Sequence, residues 1–354
     1  MSKVSVLIVD DSLVARNLLS LIFGTDPDIL VVGKVCDGLE ALQFLTRQRP
    51  DVITMDINMP GMDGFDVTAR ILQDYAIPIV IVSGNFTPSE TAKSFRALEA
   101  GAVAILPKPA GPGAPEFSKT VHKFCATIKS MAEVRVVRRK ISPPSGIAGN
   151  HIEQNHAEGD QSLLPHRPVT VIVIGASAGG PEALVEFFLR MKSHLTVPVL
   201  LVQHIDSGFI ENFTSWLSER TGIPVTISKN GDLPVNGVVH MAPGGRHLAI
   251  GPNKLISITD DPPEKGIRPS VAYLFRSALK AFGPQAMAVL FSGMGRDGAE
   301  ELKLMKERGC ITMVQDEKSS LVFGMPGEAC RLGAACHILP PVKIAEMVKN
   351  YLTT

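Results

Sequence analysis

The sequence predicts an α/β chain of two units, a flavodoxin-like five-stranded domain and a doubly wound parallel-sheet domain, joined by a linker. Short β-rich runs alternate with amphipathic stretches of helical period over residues 1–122 and again from Val169 onward. Between them, residues 138–168 hold prolines 143, 144, 165 and 168 with few bulky apolar positions. The chain therefore divides into 1–122, a linker at 123–168, and 169–354. Its 354 residues agree, since one domain takes about 150.

Taken in order, the strand-like runs of the first unit are Val4 to Val9, Val31 to Val35, Val52 to Met55, Ile79 to Val82 and Val103 to Leu106. Five such runs separated by helical stretches suit a parallel sheet covered by helices. In the second unit the runs are Val169 to Ile174, Pro198 to Val202, Val225 to Ser228, Gly237 to Met241 and Ala286 to Phe291. Helical segments separate them, such as Pro181 to Met191, which starts on proline as helices often do.

Hydrophobic residues make up 45% and charged residues 20%, an ordinary globular balance. No apolar run reaches the roughly 18 residues of a membrane span, and Met1 leads into a strand without the marks of a signal peptide. A soluble, cytoplasmic protein without membrane insertion is expected. Cys36, Cys125, Cys310, Cys330 and Cys336 are odd in number and form no C-x-x-C pair, which argues against a disulfide framework or structural zinc. Basic and acidic residues balance at 35 each. By segment they number 10 and 14, 7 and 4, and 18 and 17, giving net charges of −4, +3 and +1. The second unit has no basic helix-turn-helix pattern, so no nucleic-acid partner is expected.

Asp10, Asp11, Asp56 and Ser83 lie at the carboxyl ends of predicted strands, and Lys108 follows the fifth. Those ends converge on one crevice in an open parallel sheet. Clustered carboxylates repel unless a hard cation joins them, so Mg²⁺ suits the site, and with Lys108 it could neutralise a phosphoryl group on Asp56. Singly, Asp11 and Ser12 would read as helix caps and Lys108 as surface charge. The set of five, followed by the turn from Asn58 through Gly64, is far more specific. Over residues 3–122 the chain resembles response-regulator receiver domains. The resemblance implies that Asp56 accepts a phosphoryl group from a partner histidine kinase, that Asp11, Asp56 and the Asn58 carbonyl hold Mg²⁺ with Asp10 assisting, and that Ser83 and Lys108 are the switch hydroxyl and lysine. Ile105 departs from the aromatic residue usual three places before that lysine.

In the second unit, Gly175-Ala176-Ser177-Ala178-Gly179-Gly180-Pro181 joins a strand to a helix start. A dinucleotide site would want G-x-G-x-x-G, but the third place is Ser177. G-x-S-x-G instead presents a serine on a sharp turn beside free helix N–H groups. A serine nucleophile needs a base and an orienting acid. His204 closes the next strand and Asp297 lies in the loop Gly293-Met294-Gly295-Arg296-Asp297-Gly298. His240 and His247 also stand near strand ends, so spacing leaves the base open. Asp297 followed by Glu300 also fits a helix capping box.

From Val169 onward the chain resembles the catalytic domain of the chemotaxis protein-glutamate methylesterases, the CheB family. The matching segments are residues 174–180, Gln203-His204 with Gly208-Phe209, residues 242–247, Arg268-Pro269-Ser270-Val271, residues 292–298, Gln315-Asp316-Glu317 and Phe323-Gly324-Met325-Pro326. The resemblance implies Ser177 as nucleophile, His204 as general base, Asp297 as its orienting acid and the Met294 amide in the oxyanion hole. It further implies hydrolysis of glutamate methyl esters on methyl-accepting chemoreceptors, with release of methanol, and deamidation of selected glutamines. Phosphorylation of a receiver that otherwise covers the crevice would activate an esterase step that needs no cofactor. Ile205-Asp206-Ser207 and Ala272 depart from the family at the border of the substrate groove. Two rivals are a response regulator whose second unit only binds a partner, and a methylesterase serving a signalling system other than chemotaxis.

Overall fold

The computed structural model describes residues 3–59, 64–84, 95–98, 100–114, 117–134, 136 and 168–353. Positions 60–63 of the turn after Asp56, and residues 137–167 of the expected linker, lie outside the described residues.

The first unit has five strands: β1 (Val4–Val9), β2 (Ile29–Val35), β3 (Val52–Met55), β4 (Ile79–Ser83) and β5 (Ala104–Pro107). They form a wholly parallel sheet in the order β2-β1-β3-β4-β5. Successive side chains of a strand face opposite ways, so each face needs its own cover. Leu7 and Val9 pack against α2 (Gly38–Leu45) and α3 (Gly64–Asp74), while Val6 and Ile8 pack against α1 (Leu13–Gly24) and α4 (Phe117–Ala132). The last helix corrects the expected boundary. Residues 123–132, expected in the linker, continue α4 and bury Phe124, Cys125, Ile128 and Met131.

The second unit has a seven-stranded parallel sheet, ordered β14-β13-β12-β6-β7-β9-β8. Its strands are β6 (Val171–Ala176), β7 (Val199–Gln203), β8 (Val225–Ile227), β9 (Val239–Met241), β12 (Ala286–Leu290), β13 (Ile311–Gln315) and β14 (His337–Leu339). One face carries α5 (Gly180–Met191), α6 (Ile210–Thr221) and α10 (Pro341–Thr353), and the other α7 (Val271–Phe282), α8 (Ala299–Glu307) and α9 (Met325–Arg331). An antiparallel hairpin of β10 (His247–Ile250) and β11 (Ile256–Thr259) buries Leu248, Ile250, Ile256 and Ile258 in the same core as Leu274 and Phe275 of α7. The chain order reverses between β6 and β12. A crevice opens at the carboxyl ends of strands at such a point.

The two units touch. Phe95, fully buried, stacks on Trp216 with ring centroids 5.2 Å apart and tilts against Phe213 at 5.5 Å. Leu321 and Val322 belong to the same apolar cluster as the α1 and α4 face of the first unit. Among the described residues no helix is long and apolar enough to cross a membrane.

Gly175 seats α7 on the sheet. A Cβ there would lie 2.3 Å from Val271 Cγ1 and 2.9 Å from Leu290 Cδ1, closer than atoms approach. Gly175→Ala should therefore cost about 1–3 kcal/mol through overpacking, read as a lower urea midpoint. An unchanged midpoint would mean that the start of α7 gives way freely.

Candidate active site and phosphoryl pocket

The crevice of the second unit is assembled by backbone pairing. Ser177 follows β6, His204 follows β7, and residues 292–297 follow β12. His204 N donates to Ala176 O at 2.9 Å and Ser177 N to Ser292 O at 3.0 Å, so the sheet ladder continues into all three loops. Gly179 holds φ at 75°, a left-handed conformation that glycine adopts without strain, and turns the chain into α5.

Asp297 gathers four donors. Its Oδ2 accepts from Val271 N at 2.7 Å and lies 3.0 Å from His204 Nε2. Its Oδ1 accepts from Ser270 Oγ at 2.9 Å and Ala272 N at 3.0 Å. Thus Asp297 does not box its own helix: α8 is preceded by Gly298 as its N-cap with no side-chain cap, and Asp297 sits instead at the N-terminus of α7, whose dipole favours an anion. Burial alone would raise its pKa. The His204 hydrogen bond and charge, with the Ala272 and Val271 amides, outweigh burial and hold it below the usual value. The role of Ser270, Val271 and Ala272 as donors to Asp297 was not legible in spacing, because the two segments are 25 or more residues apart.

The three histidines are distinguishable. His240 lies within β9, where burial lowers its pKa and its Nε2 accepts from Val235 N at 2.9 Å. His247 is fully buried, its Nδ1 accepting from Ser270 N at 3.2 Å and its Nε2 lying 3.2 Å from Pro262 O. That pattern fixes a neutral ring with its proton on Nε2. His204 alone of the three is partly exposed and paired with Asp297. Among the described residues Ser177 Oγ makes no hydrogen bond. Gly293 passes so close to Ser177 that a Cβ would lie 2.8 Å from the serine Cβ, and the Met294 N–H that follows has no backbone acceptor among the described residues. Gly293 O accepts from Gly324 N at 3.1 Å and Met325 N at 2.8 Å, while Ser292 Oγ donates to Ala178 O at 2.7 Å. The segment around residue 324 therefore braces the loop beside the serine.

In the first unit, Lys108 Nζ lies 2.7 Å from Asp10 Oδ2 and 2.6 Å from Asp56 Oδ2. Burial raises the Asp10 pKa, with the Lys108 ammonium opposing it. Burial would lower Lys108, but its two carboxylate partners raise it. Carboxylate oxygens of Asp10, Asp11 and Asp56 lie within 4.8 Å of one another, with Asp11 exposed. This donor set of hard oxygens, open to solvent at one corner, fits a divalent cation such as Mg²⁺. Asn58 N donates to Asp56 Oδ1 at 3.3 Å, and buried Ser83 accepts from Lys108 N at its carbonyl, 2.8 Å away. Ile105 is buried in β5.

Residues 172–348 match the family model of the CheB methylesterase, and residues 6–114 that of the response regulator receiver domain. A protein-glutamate methylesterase/protein-glutamine glutaminase of Nitrosospira multiformis is 44% identical over 349 residues, 98% of this chain and 96% of that protein. One of Geobacter metallireducens is 44% identical over 344 residues, 96% of each chain. The solved catalytic domain of the Thermotoga maritima CheB methylesterase covers 51% of this chain and 97% of its own, at 28% identity and TM-score 0.49.

Because the folded pKa of Asp297 lies below its unfolded value, its carboxylate contributes stability above about pH 4 and loses it as pH falls through the lower folded pKa. Asp297→Asn places an amide donor among four donors and should cost about 1–3 kcal/mol at pH 7. In paired urea titrations the deficit should narrow below about pH 4. A deficit independent of pH would show that the charge is not what these donors hold.

Proposed function

The chain belongs to the CheB methylesterase family, with a receiver domain ahead of the catalytic one, and on that premise we propose how its residues carry out the reaction. Its activity is that of a protein-glutamate methylesterase and protein-glutamine glutaminase, a hydrolase in a response-regulator chain. Ser177 is the nucleophile. With the Nε2 proton of His204 donated to Asp297, the lone pair on Nδ1 takes the Ser177 proton as Oγ attacks the ester carbonyl. Substrate entry would bring Ser177 Oγ within hydrogen-bond reach of Nδ1. His204 then returns the proton to the departing ester oxygen, releasing methanol, or to the departing amide nitrogen of a glutamine, releasing ammonia, and a water activated at the same nitrogen hydrolyses the acyl-serine. The Met294 N–H is placed to meet the developing oxyanion, a donor worth about 3 kcal/mol in such sites. The His204–Asp297 hydrogen bond, beside Ser177 at the point where strand order reverses, is the observation that carries this reading.

In the receiver domain Asp56 accepts the phosphoryl group from a partner histidine kinase. Asp10, Asp11, Asp56 and the Asn58 carbonyl would hold Mg²⁺, which supplies charge neutralisation to the phosphoryl oxygens when bound. Lys108 exchanges its Asp56 contact for a phosphoryl oxygen, and Ser83 donates to another. The substrates are glutamate side chains of methyl-accepting chemoreceptors, reached from the cytoplasm. With Ile105 in place of an aromatic switch, Phe95 couples the domains: it lies between the receiver and Phe213 and Trp216 of α6. The receiver so placed restrains the loops that frame Ser177, since Leu321 of the catalytic unit joins the apolar cluster of the receiver's α1 and α4 and lies against Gly179.

Two experiments follow. Ser177→Ala should abolish methanol release from methylated receptor while the far-UV circular dichroism stays unchanged, and near-normal release by the folded variant would remove Ser177 from the mechanism. Phe95→Ala should raise the unphosphorylated rate several-fold and shrink the further gain from a small phosphodonor with Mg²⁺, a gain that Asp56→Asn should lack altogether. An unaltered basal rate in Phe95→Ala would place the coupling elsewhere.

A further inference from the structure

Gln203 ends β7 and points to the face carrying α5, with its side chain buried. Its Nε2 donates to Ser177 O at 2.8 Å and to His204 O at 3.1 Å. Both amide protons are thus committed to the main chain of the nucleophile and of the base. Its Oε1 is buried and has no partner among the described residues. An unsatisfied buried carbonyl is destabilising, and an apolar side chain of similar shape would avoid that cost. The oxygen is directed at the first turn of α5, where the partial positive charge of the helix end offsets part of that cost.

Gly180 is shaped to this arrangement. A Cβ on Gly180 would lie 2.4 Å from Gln203 Oε1 and 2.8 Å from the Ala176 Cβ, so only glycine lets the carboxamide lie flat against the start of α5. Gly180 N also donates to Ser177 O at 2.9 Å, which leaves that carbonyl held from two sides. The glycine pair after the serine and the glutamine before the histidine are therefore two halves of one contact.

We propose that Gln203 is a positioning residue for the hydrolysis, its one carboxamide fixing the backbone of Ser177 relative to that of His204. The inference rests on the assignment of Ser177 and His204 above. It explains why a polar side chain with an orphaned oxygen occupies a strand end otherwise suited to an aliphatic residue. Without the clamp, the serine turn and the histidine loop remain joined by His204 N to Ala176 O, but their carbonyls lose the shared donor. Displacements of about 1 Å in such a pair cost up to about 100-fold in rate.

The test is covalent labelling of the full-length chain by a fluorophosphonate, following both the amount of labelled Ser177 and the rate constant per labelled site across pH 6–9. Gln203→Leu keeps the volume and removes both donors; Gln203→Glu keeps the shape and sets an acceptor against two carbonyls. For either variant we expect full labelling in the end, a rate constant lower by about 10- to 100-fold, and, in steady-state ester hydrolysis, a fall in kcat with KM within about twofold. Gly180→Ala, which leaves Gln203 intact, should slow labelling similarly, and the Gly180→Ala, Gln203→Leu double variant should be no slower than the worse single one. A merely structural role would lower the labelled amount and leave the rate per site unchanged, and that result overturns the proposal. If Gln203→Leu does not fold, Gln203→Glu decides. Failure of the unaltered chain to label at Ser177 would instead overturn the nucleophile assignment, and this role with it.

Discussion

The carboxylate of Asp297 is the constraint on which the catalytic unit is organised. Four donors from two segments meet on its two oxygens: the β7 loop through His204, and the start of α7 through the Ser270 hydroxyl and the first two helix amides. A buried charge without partners costs several kcal/mol, so these segments are held together by the requirement to satisfy it. The helix end does two tasks at once. It supplies donors that would be orphaned at any helix start, and it keeps the carboxylate ionised and aligned on one nitrogen of His204. Gly175, beneath Val271, sets how closely α7 can approach, and through α7 it sets where Asp297 sits.

The receiver pocket solves a similar problem with the opposite economy of partners. Asp10 and Asp56 share one ammonium, and Asp11 stays in water. A lysine between two carboxylates can be displaced from one of them without leaving either bare of neighbouring cations once a metal or a phosphoryl oxygen enters. Asp297, by contrast, has donors fixed by backbone and cannot rearrange. The first pocket is built to change state, the second to hold one geometry.

Much of this was legible in the sequence, for reasons that differ by element. Parallel strands buried on both faces read as continuous apolar runs, so β1, β3, β6, β7 and β12 stand within two residues of their expected positions. Strand ends then gave the acid cluster and Ser177, because strand ends are where an open parallel sheet places ligands. The hairpin of β10 and β11 was missed although Leu248, Ile250, Ile256 and Ile258 alternate, since a search for parallel-sheet units looks past short amphipathic strands. The roles of Ser270, Gln203 and Gly180 could not be read, because each exists only when segments distant in sequence are brought together. Asp297 and Glu300 have capping-box spacing, but the structure pairs Asp297 with a different helix. Local patterns name a chemical need without naming its partner.

The described contact between receiver and catalytic unit combines stacked rings, a few aliphatic side chains and one weak ion pair. Its aromatic part is Phe95 against Phe213 and Trp216, and such pairs add about 0.5–1.5 kcal/mol each beyond the area they bury. Lys123 and Asp206, 4.0 Å apart with the lysine side chain 81% exposed, contribute little in solvent. Shifting a population tenfold takes about 1.4 kcal/mol. An interface as extensive as the sheet cores could not be opened by one phosphoryl group, and one made only of surface charges would not stay closed without it. The buried rings, together with Leu321 and Val322 of the catalytic unit set in the receiver's apolar cluster, lie between those limits. The proposed inhibition therefore rests on contacts small enough for chemistry at Asp56 to reverse, yet directly attached to the turn that carries Ser177.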